Sequence, residues 1–354
     1  MKKLNTKKIL MLGYYNPNMH SRTKNIKLGL EKLNFHVEQY IEKNPIKVVK
    51  RLLKKDYNLL FITGKKHLFL AYLLKFIHKK KILFDAFISD YDTLVNDRKL
   101  VKDKTIKAKI LWLLDKISCQ ISDHIILDTK EHIDYFVNEF KLKKEKFSEV
   151  VIGADETIFY PRKIKKNKKF TVMFHGTFIP LQGIEYIIKS AKIIEDNKKY
   201  KNKIDFILIG KGQTFPEMKK LSETLKLKNI KFLGLINMNE LPDILLKGHI
   251  ILGIFGITEK AKRVIPNKAY EAIALKMPLL TGKTQAILSK FKDKENCLLA
   301  NIGDEKDIAE KIILLYENKT LREKISEKGY LLFKKEFSNV HIGLQMKKII
   351  EKLY

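Results

Sequence analysis

Short apolar runs alternate with longer amphipathic stretches along most of the chain. Runs rich in Ile, Leu, Val and Phe are typical of strands buried on both faces, and apolar residues repeated every three or four positions are typical of helices. The predicted strands are residues 8–14, 35–41, 59–63, 81–87, 124–128, 170–174, 204–212, 229–234, 250–254, 277–280 and 296–300. This alternation predicts an α/β fold of parallel sheets covered by helices on both faces.

Helical periodicity separates these strands. The predicted helices are residues 21–33, 46–54, 67–78, 104–121, 184–195, 215–225, 266–275, 308–316 and 340–354. A further apolar run, predicted to be a strand, ends at Gly153, and a lysine-rich segment at 163–169, typical of a linker, follows it. We therefore predict two domains, at 1–160 and 161–339.

The chain is strongly basic. Its 354 residues carry a formal net charge of +31, which favours anionic lipid surfaces, nucleic acids or phosphorylated substrates as partners. A Lys-, Ile- and Asn-rich composition, as an AT-rich genome produces, explains the same excess. No RNA-module signature with interleaved aromatic residues is found, so we expect no nucleic-acid partner and keep an anionic membrane surface as a candidate.

The sequence predicts a cytoplasmic protein, either soluble or peripheral on the inner face of the cell membrane. Cys119 and Cys297 match no metal or redox spacing, which fits a reducing compartment. No signal peptide is recognised, and the most apolar stretch, 67–77, is too short to span a bilayer. The helix predicted at 104–121 is basic and amphipathic, so it either lies on a membrane or, as we favour, packs its apolar face into the core.

The segment between the strands at 250–254 and 277–280 carries the clearest candidate chemistry. Arg263, Lys268 and Glu271 follow a predicted strand, in the position where open α/β sheets bind ligands. Pro266 suits the first turn of a helix, and free N–H groups there, with two cations nearby, would bind a diphosphate. Glu271 lies one helical turn after Lys268 and suits sugar or ribose hydroxyls. An exposed salt-bridging helix end is an equally good interpretation of the spacing.

These residues resemble a known family. The run Pro-Asn-Lys-x-x-Glu-Ala-x-Ala-x-x-x-Pro from Pro266 to Pro278 is similar to the donor-site segment of glycosyltransferase family 4, the retaining, group 1 type glycosyltransferases of GT-B fold. A second match is the pattern with which chains of that family leave their first domain, here Gly153, Asp155, Phe159 and Pro161. The resemblance covers most of the chain and is strongest between residues 150 and 300.

The resemblance implies two Rossmann-like domains with an interdomain cleft, the donor bound by the second domain and the acceptor by the first. It also implies that the helix at 340–354 packs back on the first domain. Glu271 matches the Glu that holds the nucleotide's ribose. The family's other Glu, eight positions earlier, is replaced by Arg263, which we expect to face the diphosphate instead.

The same resemblance assigns a second donor loop after the strand at 170–174. Thr177 and Gln182 replace the Arg and Lys with which the family holds the diphosphate, so Arg263 and Lys268 are expected to supply that charge. Gly176 and Gly183 are expected to offer backbone N–H groups with the following helix. His175 is either an ordinary half-buried histidine or a direct participant. Further along the chain, the resemblance places Gly210 in a turn at the donor and Leu233 near the base.

An acidic stretch follows the strand at 81–87. Asp85 and Asp92 are the candidates there to orient an acceptor hydroxyl or take its proton. Ordinary turn and capping acids explain the same residues, and Asp90-Tyr91-Asp92 is only a weak match to the motif of metal-dependent transferases. Gly13 ends the first strand of a Rossmann-like unit without a dinucleotide motif, and the resemblance implies that it begins a loop that faces the cleft and binds substrate. Arg22 either contacts phosphate or, as we favour, is a surface arginine.

The sequence thus predicts a retaining, nucleotide-sugar-dependent hexosyltransferase that works without a cofactor or metal ion. The donor is a UDP- or GDP-sugar, and the acceptor is a glycan, a lipid-linked acceptor or another surface-polysaccharide acceptor. Two alternatives stay open: a degenerate GT-B protein that binds polyanions, and a nucleotide-sugar epimerase. The missing first Glu and the missing Arg/Lys pair motivate the first alternative.

Overall fold

Two parallel six-stranded sheets organise the protein, whose computed structural model describes residues 8–13 and 21–354. The chain forms two structural units. The first extends to Ala154 and includes Phe337–Tyr354, and the second is Asp155–Glu336. The division therefore falls a few residues before the predicted boundary at 160. Residues 14–20 of the first predicted strand and loop lie outside the described residues.

The first unit alternates strands and helices as the apolar pattern predicts. Its sheet has the order β2-β1-β3-β4-β5-β6, with every neighbouring pair parallel. The strands are β1 (Lys8–Gly13), β2 (His36–Ile41), β3 (Leu59–Ile62), β4 (Lys81–Asp85), β5 (His124–Leu127) and β6 (Phe147–Glu149). The helices are α1 (Ser21–Lys32), α2 (Pro45–Leu53), α3 (Lys65–Leu73), α4 (Lys75–His78), α5 (Ile106–Ile121) and α6 (Lys130–Phe140).

The second unit repeats this plan with the order β12-β11-β10-β7-β8-β9. Its strands are β7 (Phe170–His175), β8 (Ile204–Ile209), β9 (Ile230–Leu233), β10 (Ile250–Leu252), β11 (Leu279–Gly282) and β12 (Leu298–Ala300). The helices are α7 (Ile184–Asp196), α8 (Phe215–Thr224), α9 (Leu241–Leu246), α10 (Glu259–Arg263), α11 (Asn267–Ala274), α12 (Gln285–Leu288), α13 (Glu305–Glu317) and α14 (Lys319–Leu332). Buried Ile, Leu, Val and Phe from the strands, α7 and α13 form one core.

The last helix, α15 (Asn339–Lys352), belongs to the first unit and packs on α1. Gly29 and Gly343 allow the two helices to approach closely, since a Cβ on Gly343 would lie 2.1 Å from the carbonyl oxygen of Gly29. Ile342, Met346 and Ile350 are buried.

The apolar run that ends at Gly153 is not a strand. The strand is Phe147–Glu149. Residues 150–152 after it are buried, the Val150 N–H donates to the Leu127 carbonyl of β5 at 2.8 Å, and distant side chains hold the other backbone groups. Arg22 Nη1 donates to the Val150 carbonyl at 2.5 Å, Asn25 Nδ2 donates to the Ile152 carbonyl at 3.0 Å, and the Val151 N–H donates to Gln345 Oε1 at 3.1 Å. Side chains from α1 and α15 thus satisfy backbone groups that a neighbouring strand would otherwise bind.

The helix α5 confirms the expected core packing only in part. Its fully buried side chains are Ala108, Asp115, Ser118 and Cys119, and Leu111, Trp112 and Ile121 are partly buried against the core. Four larger apolar residues of the helix are exposed: Ile106, Ile110, Leu113 and Leu114. The predicted helix at 67–78 is also two helices, because the turn breaks at Leu74.

Candidate functional site

The carboxyl ends of β7, β8 and β10 carry the candidate site of the second unit. His175 ends β7 and Gly176 follows it, while Gly210 directly follows β8. The Gly176 N–H donates to the Ile209 carbonyl at 3.0 Å, and the Gly210 N–H donates to the Leu233 carbonyl at 3.0 Å. All these strands are parallel, so their ends form one edge, the position where open α/β sheets bind ligands.

Lys268, in the first turn of α11, is the central charged group at this edge. Its side chain is buried, with Nζ donating to Gln182 Oε1 and lying 4.1 Å from the centroid of the Phe174 ring. Gly176 provides the space that this ammonium occupies, because a Cβ there would lie 2.9 Å from Lys268 Nζ. Burial lowers the pKa of Lys268 to about 7, although Glu271 opposes that shift.

Glu271 lies one turn further along α11 and is equally buried. Its Oε2 is 3.4 Å from His175 Nε2. Burial raises the pKa of Glu271 to about 7, against the effect of Lys268, and burial together with Lys268 lowers the pKa of His175 to about 3. His175 is therefore neutral at pH 7, and the site contains one amino group and one carboxyl group, both held in a poorly solvated place.

This arrangement suits an anionic ligand. A lysine whose ammonium form is destabilised by burial gains more from an incoming phosphate than an exposed lysine does, because little water screens the interaction. The neutral Gln182 amide and the Phe174 ring hold the ammonium in place without cancelling its charge. Sequence reasoning found Lys268, Glu271 and Gln182 but missed Phe174, because a phenylalanine in a buried strand has no distinguishing signal.

A tight turn connects this edge to α7. Residues Pro180–Gln182 form one turn of 3₁₀ helix, and Gly183 follows with φ +64°, a left-handed conformation that favours glycine. A Cβ on Gly183 would lie 2.3 Å from the backbone nitrogen of Gly256, and the Phe255 N–H donates to the Gln182 carbonyl at 3.0 Å. The turn and the loop after β10 are thus packed backbone to backbone.

The predicted backbone donors need correction. The Gly176 N–H is bound to Ile209, and the Gly183 N–H donates to the Pro180 carbonyl at 3.1 Å. Both glycines therefore provide room, and their own N–H groups are used inside the fold. Pro266 is the residue before α11, with φ −69° and ψ 147°, instead of its first helical residue.

The remaining donor-side candidates lie around Lys268 in the chain or along the same edge. Arg263 is half-buried at the end of α10, a short helix that the sequence pattern did not predict. Thr177 is exposed directly after Gly176, and Leu233 ends β9 half-buried. Their roles toward a ligand stay predictions.

Asp85, the acceptor-side candidate, is a buried partner of Arg22. Arg22 Nε donates to Asp85 Oδ1 at 3.1 Å and to Oδ2 at 3.0 Å, and its guanidinium lies 5.2 Å from the Phe87 ring centroid. Arg22 is only 3% exposed, so the interpretation as a surface arginine is wrong. Burial raises the pKa of Asp85, and Arg22 opposes this. Both carboxylate oxygens are bound to one cation, an arrangement unlike a free base.

Asp92 is also buried, at the start of a π-helical turn, Asp92–Asp97. Its backbone N–H donates to Ser89 Oγ at 2.9 Å, and its Oδ1 accepts from Asn96 Nδ2 at 3.3 Å. Asp90, two residues earlier, pairs with Lys65 at 2.5 Å. Gly13 ends β1, and Ile41 of the adjacent strand β2 lies opposite it in the sheet. Across the described residues, no group of three or more His, Cys, Asp or Glu is placed to hold a metal ion.

Comparison with known proteins identifies the family. Residues 155–332, about half of the chain, match the family model described as Glycosyl transferases group 1. The chain belongs to this family. The match spans β7 to α14 and therefore includes Lys268, Glu271 and the glycine-lined strand ends.

Relatives among known glycosyltransferases agree with this assignment. An uncharacterized glycosyltransferase of Methanocaldococcus jannaschii is 26% identical over 269 residues, which is 74% of this chain and 68% of the relative. The capsular polysaccharide biosynthesis glycosyltransferase CapM of Staphylococcus aureus is 24% identical, over 69% of this chain and 66% of CapM. The protein is thus a glycosyltransferase, as the sequence predicts.

Solved structures confirm the predicted fold. HepE of Anabaena, crystallised with UDP and glucose, has a TM-score of 0.75 at 14% identity, covering 98% of this chain and all of HepE. Sucrose-phosphate synthase from Thermosynechococcus elongatus has a TM-score of 0.76 at 14% identity, covering 98% of this chain and 99% of the synthase. The group 1 glycosyltransferase described here therefore has the GT-B fold. Within the described residues, no helix is long and apolar enough to cross a membrane.

Proposed function

We propose that this glycosyltransferase belongs to family 4 and transfers a sugar, with retention of configuration, from a UDP- or GDP-sugar to a glycan, lipid-linked or other surface-polysaccharide acceptor. The observation that carries the proposal is the buried Lys268 ammonium, held by Gln182 and Phe174 at the ligand-binding edge of a parallel sheet. Relatives support it: HepE was crystallised with UDP and glucose, and CapM takes part in capsular polysaccharide biosynthesis.

The proposed chemistry follows from where charge develops. When the bond between the sugar and the nucleoside diphosphate breaks, negative charge gathers on the phosphate that leaves. Lys268 would stabilise that charge, Arg263 would add a second cation, and no metal ion would be required. Thr177, Gln182 and the space at Gly176 and Gly183 would shape the diphosphate site.

Glu271 is proposed to hold the ribose. A buried carboxyl group with a pKa of about 7 is partly protonated at neutral pH, so it can accept hydrogen bonds from hydroxyls and also donate one to them. Gly210 and Leu233, joined by a backbone hydrogen bond at the end of β9, are proposed to lie at the base. Backbone groups would make that contact, so no particular side chain is needed there.

On the acceptor side we propose Asp85, Asp92 and Gly13. Asp85 is at the carboxyl end of β4 and Gly13 at that of β1, so both belong to one edge of the first sheet. Because Arg22 binds both oxygens of Asp85, we propose that Asp85 fixes Arg22 and shapes this edge, while Asp92 orders the turn beside it.

The test compares Lys268→Ala with Lys247→Ala, which removes an exposed lysine at the end of α9. A thermal-shift screen with UDP, GDP and their sugars first identifies the donor, and the release of nucleoside diphosphate is then measured with that donor. We expect Lys268→Ala to reduce turnover at least about a hundredfold, the loss typical of a donor to developing charge. Lys247→Ala should behave like the wild type. Near-normal turnover in Lys268→Ala would remove Lys268 from the site.

The same screen separates the proposal from the two alternatives. A polyanion-binding protein would show salt-sensitive binding and no stabilisation by any nucleotide. An epimerase would convert the sugar without an acceptor.

A further inference from the structure

The outward side of α5 carries an apolar stripe that the fold does not cover. Ile106, Ile110, Leu113 and Leu114 recur at the spacing of one helix face, and Ile106 is 79% exposed. The opposite side of the helix is the one that packs on the unit. Leu111, Trp112 and Ile121 on that side are partly buried against the core, so α5 is apolar on its outward side as well, where a soluble helix is normally polar.

A second exposed apolar group lies on the neighbouring helices α3 and α4, toward the C-terminal end of α5. Helix α3 contacts α5, Lys65 forms an ion pair with Asp115 of α5, and Lys75 Nζ donates to Asp123 Oδ1 at 2.8 Å just beyond it. Four large apolar side chains around the end of α3 and in α4 are exposed, with Phe76 at 91%: Tyr72, Leu73, Phe76 and Ile77. We call these four and the α5 stripe together the apolar face of the first unit.

Lysines surround the apolar face. Helical geometry places Lys107 on one side of the α5 stripe and Lys109 on the other. The exposed lysines in and next to these elements are Lys66, Lys79, Lys99, Lys102, Lys104, Lys107 and Lys109. Between residues 65 and 84 the sequence contains no Asp or Glu, and Asp103 is the exposed acid next to α5.

We propose that the apolar face docks on the surface of an anionic lipid bilayer. Apolar side chains flanked on both sides by lysines match the boundary between acyl chains and negatively charged headgroups. A second copy of this chain fits less well, because docking like faces would bring two sets of lysines together. The proposal stands apart from the donor site, since it uses no residue of that site.

The position of the face also matters for an acceptor. Helix α5 follows the loop that leaves the carboxyl end of β4, so its first turns lie toward the sheet edge that carries Asp85. A bilayer bound along these turns would present membrane-embedded molecules near that edge. This favours a lipid-linked acceptor over a free glycan.

The test is sedimentation of the full-length chain with vesicles of phosphatidylcholine alone or mixed with phosphatidylglycerol. We expect binding to the mixed vesicles only, weakened by salt. Lys107→Ser/Lys109→Ser should weaken it about thirtyfold, since each lysine near such a surface contributes about 1 kcal/mol. Ile110→Ser/Leu113→Ser should reduce it about tenfold or more while the melting temperature stays unchanged.

Matched controls make the result specific to this face. Lys198→Ser/Lys201→Ser removes the same charge from an exposed part of the second unit, and Leu288→Ser/Leu331→Ser removes side chains as exposed as Ile110 and Leu113. Both controls should bind like the wild type. Equal losses in face and control variants, no binding to the mixed vesicles, or a dimer that Ile110→Ser/Leu113→Ser dissociates would each overturn the proposal. UDP-induced stabilisation is measured in parallel, so a failure of the donor site is seen separately.

Discussion

Lys268 and Glu271 form a pair in which burial, more than mutual attraction, sets the protonation state. The pKa of Lys268 is lowered and that of Glu271 is raised, both to about 7, which is the direction in which desolvation moves each group. An anionic ligand bound beside this pair would stabilise the ammonium form of Lys268. Within the proposed function, that ligand is the diphosphate.

The lowered pKa of Lys268 predicts proton uptake on nucleotide binding. A diphosphate beside Lys268 favours its charged form, so the pKa of Lys268 rises from about 7 in the free protein. The contribution of Lys268 to UDP affinity should therefore be constant well below pH 7 and fall by up to about tenfold per pH unit above it. Calorimetry in buffers of different ionisation enthalpy should show uptake of up to one proton at pH 8.

Two variants identify the group that takes up this proton. Glu271→Gln should keep the proton uptake but move the onset of the pH dependence to lower pH, because the Glu271 carboxylate raises the pKa of Lys268, whereas Lys268→Gln should lose both. Uptake that persists in Lys268→Gln would mean that another group titrates and that Lys268 does not face the diphosphate.

The structure brings sequence-predicted residues together where they are close in the chain. Lys268 and Glu271 are three residues apart in one helix, and the structure places both in the same buried site. The Arg22–Asp85 pair joins residues 63 positions apart, and no pattern in the sequence connects them. Asp85 was therefore expected to be available to an acceptor, whereas the structure shows it bound to arginine.

Among the elements, the turn from Pro180 to Gly183 depends on a single glycine. Gly183 combines a left-handed φ with close contact to the Gly256 backbone, so any side chain there must displace the loop after β10. That loop and this turn both adjoin the Lys268 site, because the Gln182 side chain binds the ammonium while its carbonyl binds Phe255.

Gly183→Ala should lower the free energy of unfolding by about 2 kcal/mol or more. Alanine is strained in the left-handed conformation, and its Cβ would clash with the Gly256 backbone. Gly234→Ala is the control, since its new Cβ meets only the Lys211 side chain at 3.5 Å and should change stability by less than about 0.5 kcal/mol. Urea unfolding measures both. Equal stability of the two variants would contradict the packing described for this turn.

Element prediction was accurate where apolar periodicity was strong and failed where side chains replace secondary structure. The strands at 59–63 and 204–212 and the helix at 184–195 were found within a few residues of their observed ends. The run at 150–153 was expected to be a strand because it is apolar, but α1 and α15 satisfy its backbone with side chains. Helix α6 and helix α14 were not predicted. A lysine- and glutamate-rich stretch hides the apolar spacing of α14, whereas α6 does carry apolar residues at helical spacing, Ile133, Phe136, Val137 and Phe140, which the prediction missed.

At the scale of the whole molecule, the chain crosses from the first unit to the second and returns. Helix α15 completes the first unit by covering α1, although it follows the second unit in sequence. The family resemblance gave this placement in advance. The sequence of α15 alone does not predict this placement, because its apolar face could pack on either unit.

Ending the chain at Glu336 should therefore unfold the first unit and spare the second. Ile342, Met346 and Ile350 alone contribute about 1.5–3 kcal/mol each, which together approaches the whole stability of a typical domain. Calorimetry should show one transition lost and one retained, with the retained one still stabilised by UDP. A chain ending at Lys352 is the control and should keep both. Two intact transitions in the shorter chain would contradict the assignment of α15.

The central claim is that buried Lys268 binds the diphosphate of a nucleotide, and calorimetric titration with UDP and with uridine tests it most directly. A charge-assisted hydrogen bond contributes about 1.5–3 kcal/mol, so Lys268→Gln should weaken UDP binding between about tenfold and 150-fold. Uridine, which lacks phosphate, should bind the wild type and the variant equally. If UDP affinity is unchanged in Lys268→Gln, or if uridine and UDP lose affinity equally, the claim is wrong.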